Sequence, residues 1–284
     1  MIYKHEIPDS SRLYFSNSAK LKRVIETKAS DIFDRLGFEE IVTPFFSYHQ
    51  HSEIDEKLLI RFSDNSNNLI SMRADSTMDV VRLITKRLGR SVDQKKWFYI
   101  QPVFRYPSSE QYQIGAEYLE NCFVNETIND VLKIIDALNL KPKLQISNMK
   151  IPQILSQELD IDIEIFESAN LQEIFKLELP WLNSLAAMQD ISDLDTIIDL
   201  LPNYLRDELL KIKELYVNID YKDTIISPLY YSNMRYYDGL FFRLFRDNRL
   251  FGMGGAYRYE DIDATGFALY TDNLIEEMIG EYEQ

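Results

Sequence analysis

Apolar residues in the first third of the chain recur first at helical spacing and then at strand spacing. Between residues 17 and 36 they return every three to four positions, and Gly37 follows, which is typical of a helix end. Pro44 ends the next apolar run, because proline cannot donate to a β ladder. The pattern predicts, in order, a helix over 17–36, a strand over 38–43, a hairpin of strands 58–63 and 69–73 around the turn 64–68, and a helix from Asp75 or Ser76 to Leu88.

Polar residues interrupt an otherwise aromatic and aliphatic segment in the middle of the chain, KKWFYIQPVFRYPSSEQYQIGAEYLEN. Its alternation predicts two antiparallel strands around a Pro-Ser-Ser-Glu turn, over 97–106 and 111–119. Gln113 and Glu117 share one face of the second strand, and Arg105 lies near the turn. A cation, an amide and a carboxylate on one sheet face make a floor for a small zwitterionic or phosphorylated ligand. The alternative is a solvated face with a surface ion pair.

The second half of the chain is helical and acidic first, then aromatic and strand-like. Three prolines punctuate the acidic block, which we interpret as a helical insertion at about 150–222. Gly252, Gly254 and Gly255 either allow a close backbone approach or form a tight loop. We predict helices over 126–138, 151–158, 170–178, 180–189, 193–200 and 203–216, strands over 143–146, 225–231, 239–245, 249–253 and 267–270, and a last helix capped by Asp272 and reaching Tyr282.

This order of elements predicts an α+β fold, an antiparallel sheet flanked by helices, because hairpins group together without regular βαβ alternation. The chain of 284 residues is expected to form a single domain over 1–284 with the helical insertion.

Composition and charge narrow the classes of partner. The formal net charge of -15 repels polyanions, so nucleic acid is a poor default partner. The sequence has no apolar signal segment and no run of about 18 apolar residues, so we expect no membrane span and a cytoplasmic location. The single cysteine, Cys122, has no partner in the chain for a disulfide. His49 and His51 are better explained as a loop pair than as a metal clip, and we expect no metal and no cofactor.

Several separated motifs resemble the catalytic domain of class II aminoacyl-tRNA synthetases, most closely the histidyl-tRNA synthetase branch. The first helix with GFEEIVTP is similar to the family's dimer-forming motif 1, and FYIQPVFRY with QYQIGAEYL is similar to motif 2, in which Arg105 takes the place of the arginine that holds the ATP α-phosphate. GMGGAYRYEDIDATGFALYTDNL resembles the glycine-rich strand and motif 3, RADST resembles the segment that binds the ammonium group of the amino acid, and SNMRYYDGLFF resembles a signature of the branch.

Two departures from that pattern remove cations that nucleotide chemistry needs. Ser232 and Asn273 stand where the family keeps arginines that assist adenylate formation and hold the γ-phosphate. Losing one such positioned charge commonly costs about 10² to 10³ in rate, so independent aminoacylation is not expected. The acidic residue that follows the motif 2 arginine is also replaced, by Tyr106 and Pro107. The segment after motif 3 is short compared with the family, so we expect no anticodon-binding domain.

The retained motifs imply a regulatory role. A synthetase fold with an amino-acid pocket but without nucleotide chemistry resembles the regulatory subunits of ATP phosphoribosyltransferase. The resemblance implies a homodimer within a hetero-oligomer, which activates a short catalytic subunit in the first step of histidine biosynthesis, mediates feedback by histidine and does not bind tRNA. The alternatives are a divergent synthetase-like ligase that activates an amino acid for another acceptor and a dimeric amino-acid sensor with another partner.

Six residues match family positions that bind histidine, with no catalytic residue among them. They are Asp75, Thr77, Gln113, Glu117, Tyr236 and Tyr237. The chemistry agrees, since a carboxylate suits an ammonium group and tyrosine hydroxyls suit ring nitrogens. Each has a structural alternative: Asp75 as a helix cap, the tyrosines as core residues, and Gln113 with Glu117 as a hydrogen-bond network. Arg105 is expected to contact a phosphate or to pair with a carboxylate.

Overall fold

The computed structural model describes residues 6–48, 54–89, 92–234 and 236–282. The helices are α1 (Ser16–Leu36), α2 (Ser76–Leu83, continued to Leu88 as a wider π-type turn), α3 (Val124–Ala137), α4 (Lys150–Glu158), α5 (Glu164–Glu167), α6 (Leu171–Phe175), α7 (Pro180–Ala187), α8 (Ile191–Ile197), α9 (Asn203–Val217) and α10 (Thr271–Tyr282). The strands are β1 (Glu39–Glu40), β2 (Phe46–Ser47), β3 (Arg61–Ser63), β4 (Leu69–Met72), β5 (Lys96–Arg105), β6 (Ser109–Leu119), β7 (Lys143–Asn148), β8 (Thr224–Ile226), β9 (Tyr237–Arg246), β10 (Arg249–Tyr259) and β11 (Ile262–Tyr270). In these residues, no helix is long and apolar enough to cross a membrane.

The chain divides into two compact units. The first unit comprises residues 1–120, 133–139 and 266–284, and the second comprises 121–132 and 140–265. The chain passes from one unit to the other four times: after Glu120, within α3, after Asn139 and within β11.

The first unit is built on the β5–β6 hairpin, which helices α1, α2 and α10 accompany. Its strand order is β1-β5-β6-β11, and β1 runs parallel to β5 whereas β5 and β6 are antiparallel. A separate small sheet has the order β2-β4-β3. The fully buried rings of Phe33 on α1 and Phe98 on β5 stack with their centroids 4.7 Å apart, and Phe267 lies 6.0 Å from Phe33. This apolar core holds the hairpin in place.

The second unit carries the strand order β11-β10-β9-β7-β8 and the helices α4 to α9. β9 pairs antiparallel with both β10 and β7, and β8 runs parallel to β7. The segment between β7 and β8 contains α4 to α9 and no strand. That this helical segment is an insertion stays a prediction. The predicted α+β architecture is confirmed.

Several elements differ from the predictions. The strand expected over 38–43 pairs only at Glu39 and Glu40, because the Phe38 amide instead donates to the Phe33 carbonyl at the end of α1. The predicted strand 225–231 ends at Ile226, and the predicted helix 170–178 is limited to Leu171–Phe175. Helix α5 was not predicted, since it is only four residues long.

The glycine-rich segment is a strand and not a loop. Gly252, Gly254 and Gly255 lie within β10 and pair with β9. A Cβ on Gly255 would come within 2.6 Å of the Leu240 carbonyl oxygen, so the expectation of a close backbone approach is correct and that of a tight loop is wrong.

The C-terminal helix begins at Thr271, one residue before the expected cap. Asp272 therefore lies inside its first turn. The Asp272 carboxylate accepts hydrogen bonds from the Tyr14 hydroxyl and from the Tyr112 amide, at 3.1 Å for the amide. Its side chain thus connects α10 to the N-terminal segment and to β6.

Candidate functional site

The predicted polar face of the central hairpin is present and is buried. Gln101 pairs with Gln113, Tyr99 with Gly115 and Trp97 with Glu117, so all these residues share one face. Gln113 is 5% exposed and Glu117 is 0% exposed. The alternative of a solvated face with a surface ion pair is therefore wrong for these two residues.

A glycine on β6 makes room for a tyrosine on β5. A Cβ on Gly115 would lie 2.3 Å from both Cζ and Oη of Tyr99, so only glycine fits beneath this ring. The Tyr99 hydroxyl lies 3.1 Å from Oγ1 of Thr77, the second residue of α2. Tyr99 therefore links the predicted ligand residue Thr77 to the hairpin face.

Asp75 occupies the position that begins α2. Its carboxylate accepts a hydrogen bond of 2.9 Å from the Met78 amide, and the residue is 6% exposed. The predicted helix cap is confirmed. The hydroxyl of the next residue, Ser76, is buried and has no hydrogen-bond partner in the described residues.

A buried arginine, Arg73, forms hydrogen bonds next to these residues. The Arg73 guanidinium is 0% exposed and donates to the carbonyls of Pro102 and Thr43, to Thr43 Oγ1 and to Gln101 Oε1, at 2.6–3.0 Å. Burial lowers the pKa of Arg73 to about 10. Because its donors are used by the protein, Arg73 positions β5 and the segment before β2.

Gln101 is fixed through its oxygen and leaves its nitrogen available. Gln101 Oε1 accepts hydrogen bonds from the Thr43 amide at 3.1 Å and from Arg73 Nη1 at 3.0 Å. Its Nε2 is buried and makes no hydrogen bond within the described residues. Gln113, directly across the hairpin, donates to Gln111 Oε1 at 3.2 Å.

The Glu117 carboxylate lies against a glycine of β11. A Cβ on Gly266 would fall 1.9 Å from Glu117 Oε2 and 2.8 Å from the Ala116 carbonyl oxygen. Any side chain at Gly266 would displace the carboxylate, so this arrangement of Glu117 requires glycine at position 266.

Arg105 is connected to the segment before α2. Its Nε donates to the Ala74 carbonyl at 3.0 Å. It pairs across the hairpin with Ser109, near the turn as expected. Its role as a phosphate contact stays a prediction.

Tyr236 and Tyr237 belong to the second unit and form an aromatic cluster. Their ring centroids are 4.6 Å apart, and Tyr257 lies 5.9 Å from Tyr236 and 6.4 Å from Tyr237. Their contact with a ligand stays a prediction. Ser232, in the place of a family arginine, is 3% exposed, and its Oγ accepts a hydrogen bond of 3.1 Å from the Met234 amide.

Three residues of the site were not predicted from the sequence: Tyr99, Gln101 and Gly266. The phase of β5 could have revealed the first two, because they alternate with Trp97 opposite the polar residues of β6. No sequence signal distinguishes Gly266 from any other strand glycine. Over residues 6–48, 54–89, 92–234 and 236–282, no group of three or more His, Cys, Asp or Glu residues could hold a metal ion, and the pair His49 and His51 lies outside these ranges.

Comparison with known proteins identifies the family. A family model described as histidyl-tRNA synthetase matches residues 14–274. A curated protein of Wolinella succinogenes, named ATP phosphoribosyltransferase regulatory subunit, is 42% identical over 284 residues, covering 100% of this chain and 99% of that protein. A protein of the same name from Helicobacter hepaticus is 41% identical, covering 97% of this chain and 99% of that protein.

Solved structures agree on the fold. A protein of Bacillus halodurans, titled ATP phosphoribosyltransferase regulatory subunit/histidyl-tRNA synthetase, superposes with a TM-score of 0.84 at 19% identity and covers 97% of this chain and 84% of that chain. A chain of the ATP phosphoribosyl transferase complex of Thermotoga maritima gives a TM-score of 0.65 at 21% identity, over 90% of this chain and 98% of that chain. The class II synthetase-like fold is confirmed, and the chain belongs to the family of ATP phosphoribosyltransferase regulatory subunits, which is related to histidyl-tRNA synthetases.

Proposed function

We propose that this chain is a non-catalytic regulatory subunit that binds a short ATP phosphoribosyltransferase catalytic subunit, activates it in the first step of histidine biosynthesis and transmits feedback inhibition by histidine. The chain acts as a homodimer within a hetero-oligomer in the cytoplasm, and it uses no tRNA. The likeness to regulatory subunits over the whole chain supports the partner.

The observation that carries the amino-acid site is the buried carboxylate of Glu117 on the same face as Gln113. This face also carries Gln101, and a carboxylate beside amide side chains complements the ammonium group of an amino acid in charge and in hydrogen bonding. Gln101 Nε2 and Ser76 Oγ add buried polar atoms in the same unit, which a polar ligand can use. Asp75, Thr77, Tyr236 and Tyr237 complete the proposed histidine site, with Arg105 as a phosphate contact.

The missing cations support a regulatory role over an enzymatic one. Ser232 is buried and bonded within its own turn, so it supplies no positive charge to a triphosphate. Histidine binding then changes the affinity of the complex for its other ligands, or its rate, through a shift between conformations.

Calorimetry tests the amino-acid site. Titration with histidine is expected to give one binding event per chain that is unchanged by ATP. Glu117→Gln keeps the shape of the side chain but removes its charge, and we expect it to weaken histidine binding by about tenfold or more. Glu120→Gln, an exposed change just after β6 that breaks an ion pair with Lys95, is the matched control and should bind as the wild type does.

Co-purification with the catalytic subunit and pyrophosphate exchange test the role. Association with the catalytic subunit and absence of exchange support the proposal. Pyrophosphate exchange that depends on one amino acid would instead favour the divergent ligase, to which Arg105 would contribute ATP binding.

A further inference from the structure

A cavity lies wholly within the second unit and shares no residue with the proposed histidine site. Its volume is about 230 Å³, and its walls come from β7, β9, the helices α5 to α7 and the segment 227–231. Pockets for drug-sized ligands measure about 300–1,000 Å³, so this cavity suits a smaller molecule of amino-acid size. Phe166, Ile174 and Met188 are among its apolar wall residues, and all three are buried.

One cation, Arg243, enters this cavity from the sheet, and its position is fixed. Its Nε donates to Gln145 Oε1 at 2.8 Å, and the two residues pair directly across β7 and β9. The guanidinium carbon lies 4.2 Å from the ring centroid of Tyr230 and 5.0 Å from that of Phe245. Gln145 is 2% exposed, and its Nε2 donates to Ser147 Oγ at 3.3 Å. The guanidinium is therefore oriented by groups that do not neutralise it.

The terminal nitrogens of Arg243 are the polar feature that points to a ligand. In the described part of the chain they make no hydrogen bond or ion pair, although a guanidinium fork matches a carboxylate with two parallel bonds. Tyr231 adds a hydroxyl that accepts from Gln153 Nε2 at 3.3 Å and keeps its own proton to donate. Glu167 is the acidic residue on the cavity wall.

We propose that this cavity binds a small monocarboxylate with an apolar body, whose carboxylate pairs with Arg243 and whose body packs against the apolar wall formed by the helical insertion. Apolar amino acids and the 2-oxo acids of the same carbon skeleton share this chemistry. Glu167 faces the same space and favours the amino acid, because its carboxylate can hold an ammonium group. The site gives the insertion a ligand-binding role that does not depend on the proposed histidine site.

The test uses the full chain and calorimetric titration with leucine, phenylalanine, 4-methyl-2-oxopentanoate, phenylpyruvate and phenylalaninamide. At least one of the four carboxylates is expected to bind with a dissociation constant below about 1 mM, and the amide is not. Tighter binding of the amino acids would show that Glu167 contacts the ammonium group. Tighter binding of the oxo acids would show that only the contact between the ligand carboxylate and Arg243 contributes. Either result supports the site.

Two variants and one control locate the binding. Arg243→Gln removes the fork and Ala186→Leu fills the cavity from α7 without changing charge, and each should weaken binding by about tenfold or more. Arg258→Gln makes the same chemical change at an exposed arginine on β10 and should have no effect. If Arg243→Gln does not fold, the effect of Ala186→Leu on ligand binding tests the proposal by itself. Failure of all four carboxylates to bind, equal binding of the amide, or unchanged binding in Ala186→Leu would overturn the proposal.

Discussion

Replacing Gly115 by alanine tests the packing at the centre of the candidate site. In a strand, alanine is normally favoured over glycine by about 0.5–1 kcal/mol, because glycine loses more backbone freedom on folding. At Gly115 the added Cβ would lie 2.3 Å from Cζ and Oη of Tyr99, a ring that is 0% exposed. The ring must move, and a buried tyrosine cannot move without disturbing its neighbours.

The expected cost follows from two losses and one gain. Overpacking of a core costs about 1–3 kcal/mol. Loss of the hydrogen bond between Tyr99 and Thr77 adds about 1 kcal/mol, and the backbone gain offsets about 0.5–1 kcal/mol. We therefore expect Gly115→Ala to lower the free energy of unfolding by about 1–3.5 kcal/mol.

Urea unfolding of a double-mutant cycle checks this reasoning. Gly115→Ala should cost nothing, or stabilise slightly, in a Tyr99→Ala background, because the clashing ring is gone. Gly280→Ala on α10 is the matched control: a Cβ there meets nothing within 4 Å, so we expect a gain of up to about 1 kcal/mol. A cost for Gly115→Ala that is the same with and without the Tyr99 ring would refute the argument.

Three further changes probe the first unit. Gly266→Ala should displace the Glu117 carboxylate, because the added Cβ would lie 1.9 Å from Glu117 Oε2. Calorimetry should then show histidine binding weakened by about tenfold or more, and wild-type affinity would contradict this prediction. Arg73→Lys keeps the positive charge but loses the planar guanidinium that donates several hydrogen bonds. Urea unfolding should show the free energy of unfolding lowered by about 2–4 kcal/mol. A decrease below about 0.5 kcal/mol would show that the guanidinium is dispensable. Hydrogen bonds from the side chain and the backbone amide of Asn68, and from Tyr48, lower the pKa of Asp64 from 3.8 to about 2. Because this pKa is lower in the folded state than in the unfolded state, the ionised Asp64 stabilises the fold above pH 3.8, and this stabilisation is lost as the pH falls towards 2. Asp64→Asn should flatten the fall of the thermal midpoint in this window, and an unchanged profile would rule out this contribution.

The sequence predicted the elements whose side chains alternate or recur cleanly. The β5–β6 hairpin was expected within three residues of its observed ends, because its aromatic and polar residues alternate over its whole length. The phase of Gln113 and Glu117 was correct for the same reason. The extent of β10 was not predicted, because the glycines at 252, 254 and 255 resemble a loop until their pairing with β9 is known.

The parts of the site that the sequence did not reveal depend on distant contacts. Gly266 adjoins Glu117 only because β11 lies beside β6, 149 positions later in the chain than the carboxylate. The buried network of Arg73, Thr43 and Gln101 joins three separate segments through hydrogen bonds. No local pattern encodes such contacts, so they appear only when the chain is folded.

The regulatory role also suggests why a synthetase fold can lose its cations and keep its pocket. A regulatory site needs a ligand that binds two conformations with different affinities, and it needs no stabilised transition state. Under the proposed function, Ser232 costs the chain nothing, because no triphosphate must be held there.

The most direct measurement of the central claim is the rate of phosphoribosyl transfer by the short catalytic subunit, with and without this chain and with and without histidine. We expect the chain to raise the rate about 5-fold or more, histidine to reverse the increase, and Glu117→Gln to keep the activation but lose the response to histidine. An unchanged rate on addition of the chain, or the same histidine response in Glu117→Gln as in the wild type, would contradict the account.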